Sequence, residues 1–260
     1  MVKKTFLDQL RKWRKDKEEQ YAGAIMGAPV KSTILKLFTL PGVGLILGSR
    51  RFGKTATAHK IGEALHNRYG VRVMVHLPKS TSMEIKRAIQ KLLPDYMKVT
   101  TKTEEWEKNS VVIYDEAAQT AHARRTQSGD AVELDNLIGI SGQRNQFLVF
   151  ICHHTKKLDP NVVREVNFII WKRPTYAYQL FERDELSDFT MKAFDYFAAL
   201  RKGRKMTDTI RRMLKRNNLV LDFNDFRFFS FENSLPAYWT EDLSNLFQDI
   251  NKLGRKAPGY

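Results

Sequence analysis

The chain has 260 residues, 42% hydrophobic and 11% aromatic, a globular composition long enough for one sizeable core with an appended piece. A lone cysteine, Cys152, excludes an intramolecular disulfide and makes a reducing, cytoplasmic compartment the expectation. Lysine and arginine number 44 against 29 acidic residues, a net charge of +15, which points to a polyanionic partner, nucleic acid before an acidic membrane surface.

The chain opens with "MVKKTFLDQLRKWRKDKEEQ", too charged for a signal peptide. Residues 4–20 read as a helix with Phe6, Leu7, Leu10 and Trp13 in a partial apolar stripe, so 1–30 is expected to be a basic helical arm. No apolar run reaches the length of a membrane span. Short, continuous, β-branched runs follow at 43–48, 71–77, 110–115, 147–152 and 167–172, as in strands buried on both faces. Helical patterns at 54–68, 82–93 and 130–142 alternate with them. Such alternation predicts an open, mostly parallel α/β sheet over a core domain of 31–175. Beyond Pro174 the pattern turns to long helices at about 176–202 and 206–217. A strand pair, "LVLDF" and "FRFFSF", and a last helical run follow. Residues 176–260 are therefore expected to form a mainly helical carboxy-terminal appendage.

The strand at 43–48 runs into Gly48-Ser49-Arg50-Arg51-Phe52-Gly53-Lys54-Thr55 and then into a helix. Glycine, four residues, glycine, lysine and threonine between a strand and a helix is the P-loop pattern. Its glycines turn backbone N–H groups around the phosphates of a nucleotide, and the helix start adds a positive field. Lys54 supplies a charge to the terminal phosphates, and the Thr55 hydroxyl is a Mg2+ ligand.

The partner of a P-loop is an acidic residue closing a buried strand, and "SVVIYDEAAQ" provides one. Asp115 is expected to hold Mg2+ through water, and Glu116 to polarise the water that attacks the γ-phosphate of ATP. A later strand ends in His153-His154-Thr155, where one histidine can sense the γ-phosphate; alternation allows only one of them to face the site, and His154 is preferred. A GTPase is excluded: Lys156-Lys157-Leu158-Asp159 stands where guanine recognition needs Asn-Lys-x-Asp. Likewise Asp115-Glu116-Ala117-Ala118 lacks the glycine of Asp-x-x-Gly.

The P-loop, "VVIYDEAAQTAHARRTQSGD" and "LIGISGQRNQFLVFICHHTKKLDPNVVREVNFIIWKRP", in that order, resemble the FtsK–HerA class of P-loop ATPases over about residues 40–175, and within it the small genome-packaging ATPases of viruses. The resemblance implies a RecA-like core with a mostly parallel sheet flanked by helices, ATP hydrolysis in a ring oligomer, and DNA drawn through the ring, with a viral capsid or portal vertex as a further partner. It also implies that Arg144 is a finger reaching a neighbouring subunit's site, a role that Arg124 or Arg125 could fill instead. Phage assembly proteins of the Zot type are similar too, which leaves an alternative: an ATP-binding assembly or export protein that organises protein partners. Those proteins carry a membrane span that is not found in this chain.

Three basic stretches compete for DNA. Arg124 and Arg125 lie in 122–130, a second stretch covers 79–91, and 201–216 holds eight basic residues, Lys205, Arg211 and Arg212 among them, against one acid. The last contains no aromatic to stack bases, so it suits the phosphates of a duplex better than a single strand.

Overall fold

The computed structural model describes residues 29–115, 136–153, 155, 158, 160–175 and 182–253. The expected amino-terminal arm lies outside the described residues save for its last two, and Glu116, Arg124, Arg125 and His154 lie outside them altogether.

The strands are β1 (Val30–Lys31), β2 (Gly42–Leu47), β3 (Arg72–His76), β4 (Met97–Thr100), β5 (Ser110–Tyr114), β6 (Phe147–Ile151), β7 (Phe168–Trp171), β8 (Asn217–Asp222) and β9 (Arg227–Glu232). The helices are α1 (Ile34–Leu37), α2 (Lys54–Tyr69), α3 (Met83–Leu92), α4 (Pro160–Arg164), α5 (Asp184–Arg201), α6 (Asp208–Arg216) and α7 (Glu241–Leu253). One nine-stranded sheet runs β1-β9-β8-β7-β2-β6-β5-β3-β4. From β7 to β4 every neighbouring pair is parallel, whereas β8 is antiparallel to both β7 and β9. This is the expected RecA-like α/β sheet, with β6 inserted between the P-loop strand β2 and the acidic strand β5.

All residues of β2, β5, β6 and β7 are buried, because helices cover both faces and each face takes alternate side chains. Leu45, Leu47, Val112, Tyr114, Leu148 and Phe150 share one face with Phe189 and Ala193 of α5 and Leu214 of α6. Ile46, Val111, Ile113, Val149 and Ile151 take the other, with Ala58, Ile61 and Leu65 of α2, Ile89 of α3 and Leu243 and Phe247 of α7. This parity decides which side chain beyond each strand end reaches the face where α2 begins.

The carboxy-terminal part is no separate appendage. β8 pairs with β7 from Phe168 opposite Asp222 to Trp171 opposite Leu219, and α5, α6 and α7 cover the common sheet. Leu219, Val220 and Leu221 are all fully buried. A strand apolar on both faces needs cover on both sides, which an isolated hairpin cannot supply. β4 was not evident in the sequence; its middle residues are half-buried, so this edge strand lacks a continuous apolar run. Among the described residues, no helix is long and apolar enough to cross a membrane.

Candidate nucleotide-binding site

The loop between β2 and α2 is shaped by two glycines. Gly48 has φ 137°, and a Cβ there would stand 2.6 Å from the Lys172 carbonyl oxygen. Only glycine lets the loop pass so close to the end of β7. Gly53 caps α2 in the left-handed region, with φ 79°, and its carbonyl accepts from the Thr57 amide at 2.9 Å. Helix α2, 16 residues long, thus points the free amides of its first turn into the loop. The loop is braced from the Ser49 amide to the Arg173 carbonyl at 3.3 Å. Phe52, expected to bind the nucleotide, packs on the core face that holds α5 and α6, with the Arg173 guanidinium 5.2 Å over its ring.

Lys54 is 8% exposed. Its Nζ donates to the carbonyls of Gly48 at 2.9 Å and Ser49 at 3.1 Å, and it lies 3.1 Å from His153 Nδ1. An ammonium only donates, so His153 Nδ1 is the acceptor. With Nδ1 accepting from Lys54, the Gly48 carbonyl 3.4 Å from the same nitrogen makes no hydrogen bond to it. His153 is placed at the lysine; His154, the preferred sensor, lies outside the described residues. Odd-numbered side chains of β6 lie on the α2 face, and His153 continues that parity beyond Ile151.

Asp115 follows β5 with the parity of Val111 and Ile113, is 6% exposed, and its amide donates to the His76 carbonyl at 3.3 Å. His76 is fixed behind it, accepting from Trp106 Nε1 at 3.1 Å and stacking on Tyr114 at 4.5 Å. Burial, and secondarily Lys79, push its pKa down to about 4. Lys54, His153 and Asp115 therefore stand at the carboxyl ends of three adjacent parallel strands, where open α/β sheets bind ligands.

These residues line one cleft of about 620 Å³, within the size range of small-molecule sites. Its lining carries Arg50, Arg51 and Lys54 from the loop and Arg212, Lys215 and Arg216 from α6, with Asp115 as its carboxylate. Residues 212, 215 and 216 share one helical face, which turns part of the basic stretch expected to meet DNA towards the P-loop. Lys205 and Arg211 are exposed outside the cleft lining, Arg211 3.9 Å from Asp208.

Sequence reasoning missed Lys172, although a lysine directly after the apolar strand "FIIW" was a signal. It is fully buried, and its Nζ donates to the Lys215 carbonyl and to Asn218 Oδ1 at 2.9 Å. Burial first, then the nearby charge of Lys54, lowers its pKa to about 7. Asn218 also donates to Asn233 Oδ1 at 2.6 Å, so a buried polar network ties the end of α6 and β9 to the back of the P-loop.

Arg144 precedes β6, at the amino ends of the parallel strands and away from the P-loop. Its Nη2 donates to the Trp106 carbonyl, and its own carbonyl accepts from Asn109 N at 2.9 Å. Within this chain it braces two loops.

The residues present suit a nucleoside triphosphate with Mg2+. Among the described residues the buried Ser49 hydroxyl has no hydrogen-bonding partner, Gly48 leaves the loop open to close approach, and the lining is strongly basic. Among the described residues no three His, Cys, Asp or Glu side chains cluster as metal ligands. Mg2+ does not require such a cage, since one or two protein oxygens, phosphates and water suffice.

No protein-family model matches the chain, and no curated protein matches it. Several solved structures are similar. The genome packaging NTPase of Sulfolobus turreted icosahedral virus 2, in complex with AMPPCP, is 12% identical with a TM-score of 0.48, over 75% of this chain and 98% of that one. The DNA-packaging ATPase of Sulfolobus turreted icosahedral virus is 16% identical with a TM-score of 0.47, over the same 75% and 98%. The amino-terminal domain of zonular occludens toxin from Neisseria meningitidis is 16% identical with a TM-score of 0.33, over 51% of this chain and 77% of that one. At these identities the likeness transfers no residue roles.

Proposed function

We propose that the chain is an ATP-hydrolysing DNA translocase, a genome-packaging type of motor that works as a ring oligomer. The observation that carries the ATPase reading is the convergence of Lys54, His153 and Asp115 at the ends of β2, β6 and β5, beside the start of α2. The net charge of +15 and the motif order of the FtsK–HerA class support the coupling to DNA.

In this reading Lys54 and the amides at the start of α2 hold the β- and γ-phosphates. Thr55 and Asp115 would hold Mg2+, which would supply charge neutralisation at the phosphate oxygens. Glu116, next in the chain after Asp115, orients a water and takes its proton as the water oxygen attacks the γ-phosphorus. The bond to the bridging oxygen breaks, and ADP leaves. His153 positions Lys54 and reports the γ-phosphate to β6. Arg212 adds positive charge from α6. Arg144 acts on a neighbouring subunit's site by exchanging its bond to Trp106 for that contact, and Arg124 and Arg125 are the rival fingers or DNA contacts.

Steady-state phosphate release tests this. The wild type hydrolyses ATP, Lys54→Ala loses nucleotide binding, and Glu116→Gln binds ATP yet turns over at least ~10²-fold more slowly, as for loss of a general base. Normal turnover in Glu116→Gln removes the assigned base. An ATPase indifferent to DNA favours the assembly protein over the translocase.

A further inference from the structure

The cleft is lined by more than the P-loop, the strand ends and α6. Leu235, Trp239, Ser244, Phe247 and Gln248 line it as well, all from the β9–α7 connection and α7. We propose that this part is the nucleoside subsite, in which the purine ring of the bound nucleotide lies against Leu235 and Trp239 and its polar edge meets Ser244 and Gln248. The proposal rests on the P-loop reading above and extends it to residues that no motif marks.

Leu235 is 59% exposed, the most exposed of the large apolar residues among those described. An exposed apolar side chain inside a ligand-sized cleft offers contact surface to a flat apolar ligand. Trp239 is half-buried and firmly held: its ring lies parallel to Phe247 at 5.9 Å, with His59 edge-on at 5.1 Å. The connection itself is anchored to α2, the helix that starts at the P-loop. The Ala237 amide donates to Glu63 Oε1 at 2.7 Å, and Tyr238 Oη lies 3.0 Å from His59 Nδ1. The distance from phosphate loop to platform is thus fixed through one rigid helix, as a subsite for the far end of a nucleotide requires. Ser244 and Gln248 are four residues apart on α7 and share a helical face. A hydroxyl and an amide together offer donors and acceptors to a purine edge. The same cleft carries the cationic side chains of the P-loop and α6, so it offers a nucleoside triphosphate both charge for its phosphates and an apolar surface for its base.

The test compares ATP with inorganic tripolyphosphate by isothermal titration calorimetry on the full chain. Wild type should bind ATP more tightly than tripolyphosphate. Trp239→Ala should weaken ATP by about tenfold, the scale of a lost base–aromatic stack, and Leu235→Ala by about threefold. Both should leave tripolyphosphate within about twofold. Leu235 is exposed enough that its truncation leaves the fold intact, so a misfolded Trp239→Ala does not spoil the test. ATP binding unchanged in Leu235→Ala and Trp239→Ala overturns the subsite, as does parallel loss of ATP and tripolyphosphate in Leu235→Ala. Wild type that binds tripolyphosphate as tightly as ATP overturns the subsite and leaves the P-loop reading standing. Wild type that binds neither overturns both.

Discussion

Lys54 Nζ and His153 Nδ1 stand 3.1 Å apart, joining the P-loop to the end of β6, 99 residues further along the chain. The imidazole accepts from the ammonium, so it fixes where the phosphate-binding charge sits. His153→Ala should lower ATP turnover by about 10- to 100-fold, the scale of a misplaced catalytic group, with nucleotide affinity changed much less. His153→Gln, which retains an acceptor, should recover part of the loss. Rates and binding measured on the same preparations check this. Full activity in the alanine variant would remove His153 from the site.

Gly48 makes a separate prediction. A Cβ at this position meets the Lys172 carbonyl at 2.6 Å, at a φ of 137°, so Gly48→Ala should destabilise the fold by about 1–3 kcal/mol and weaken nucleotide binding. Urea denaturation and calorimetry read the two effects. Wild-type values for both would show that the loop does not pass so close to β7.

Two buried histidines set the acid side of the stability profile. Burial lowers His59 to about 3 and His76 to about 4, whereas both take up protons near 6.5 in an unfolded chain. Between those values the unfolded state binds more protons, so stability falls as pH drops from about 6.5 towards 4. Lys172, lowered to about 7 from 10.5, acts with the same sign at higher pH: stability rises from about 7 towards 10.5. Denaturation midpoints across pH should show both slopes, and His76→Asn should flatten the acid one. An unchanged acid slope in that variant would contradict the assignment.

Arg144 is bonded to the Trp106 carbonyl at the amino ends of the parallel strands, away from its own P-loop, so a catalytic part for it must be played on another subunit. Arg144→Ala and Glu116→Gln chains, each inactive alone, should recover some hydrolysis when co-assembled, because mixed rings contain sites with both groups intact. Trans-acting arginines contribute about 10³–10⁵ in turnover. No recovery in mixtures shown by mass to have co-assembled leaves Arg144 as a structural brace.

Much of this site was legible because its signals are local. The P-loop is eight consecutive residues, and Asp115 closes an apolar run. The strands β2, β3, β5, β6 and β7 are short, largely buried segments whose observed bounds fall within one or two residues of the expected ones. What escaped depends on distant pairing. Nothing near 217–232 indicates that β8 will lie beside β7, so the carboxy-terminal part was read as an appendage. The same pairing turns Arg212 towards the P-loop and brings Lys172 under α6. The parity of β6 relative to α2, which carries His153 to Lys54, is revealed only by the packed sheet.

The central claim is that ATP hydrolysis here is coupled to DNA, and the most direct measurement is the steady-state ATPase rate with and without nonspecific duplex, across salt. Turnover should rise with duplex, and binding should weaken steeply with salt, with a log–log slope of about −5 if six phosphates are neutralised. An ATPase rate that saturating duplex leaves unchanged, with a flat salt response in binding, would contradict the claim.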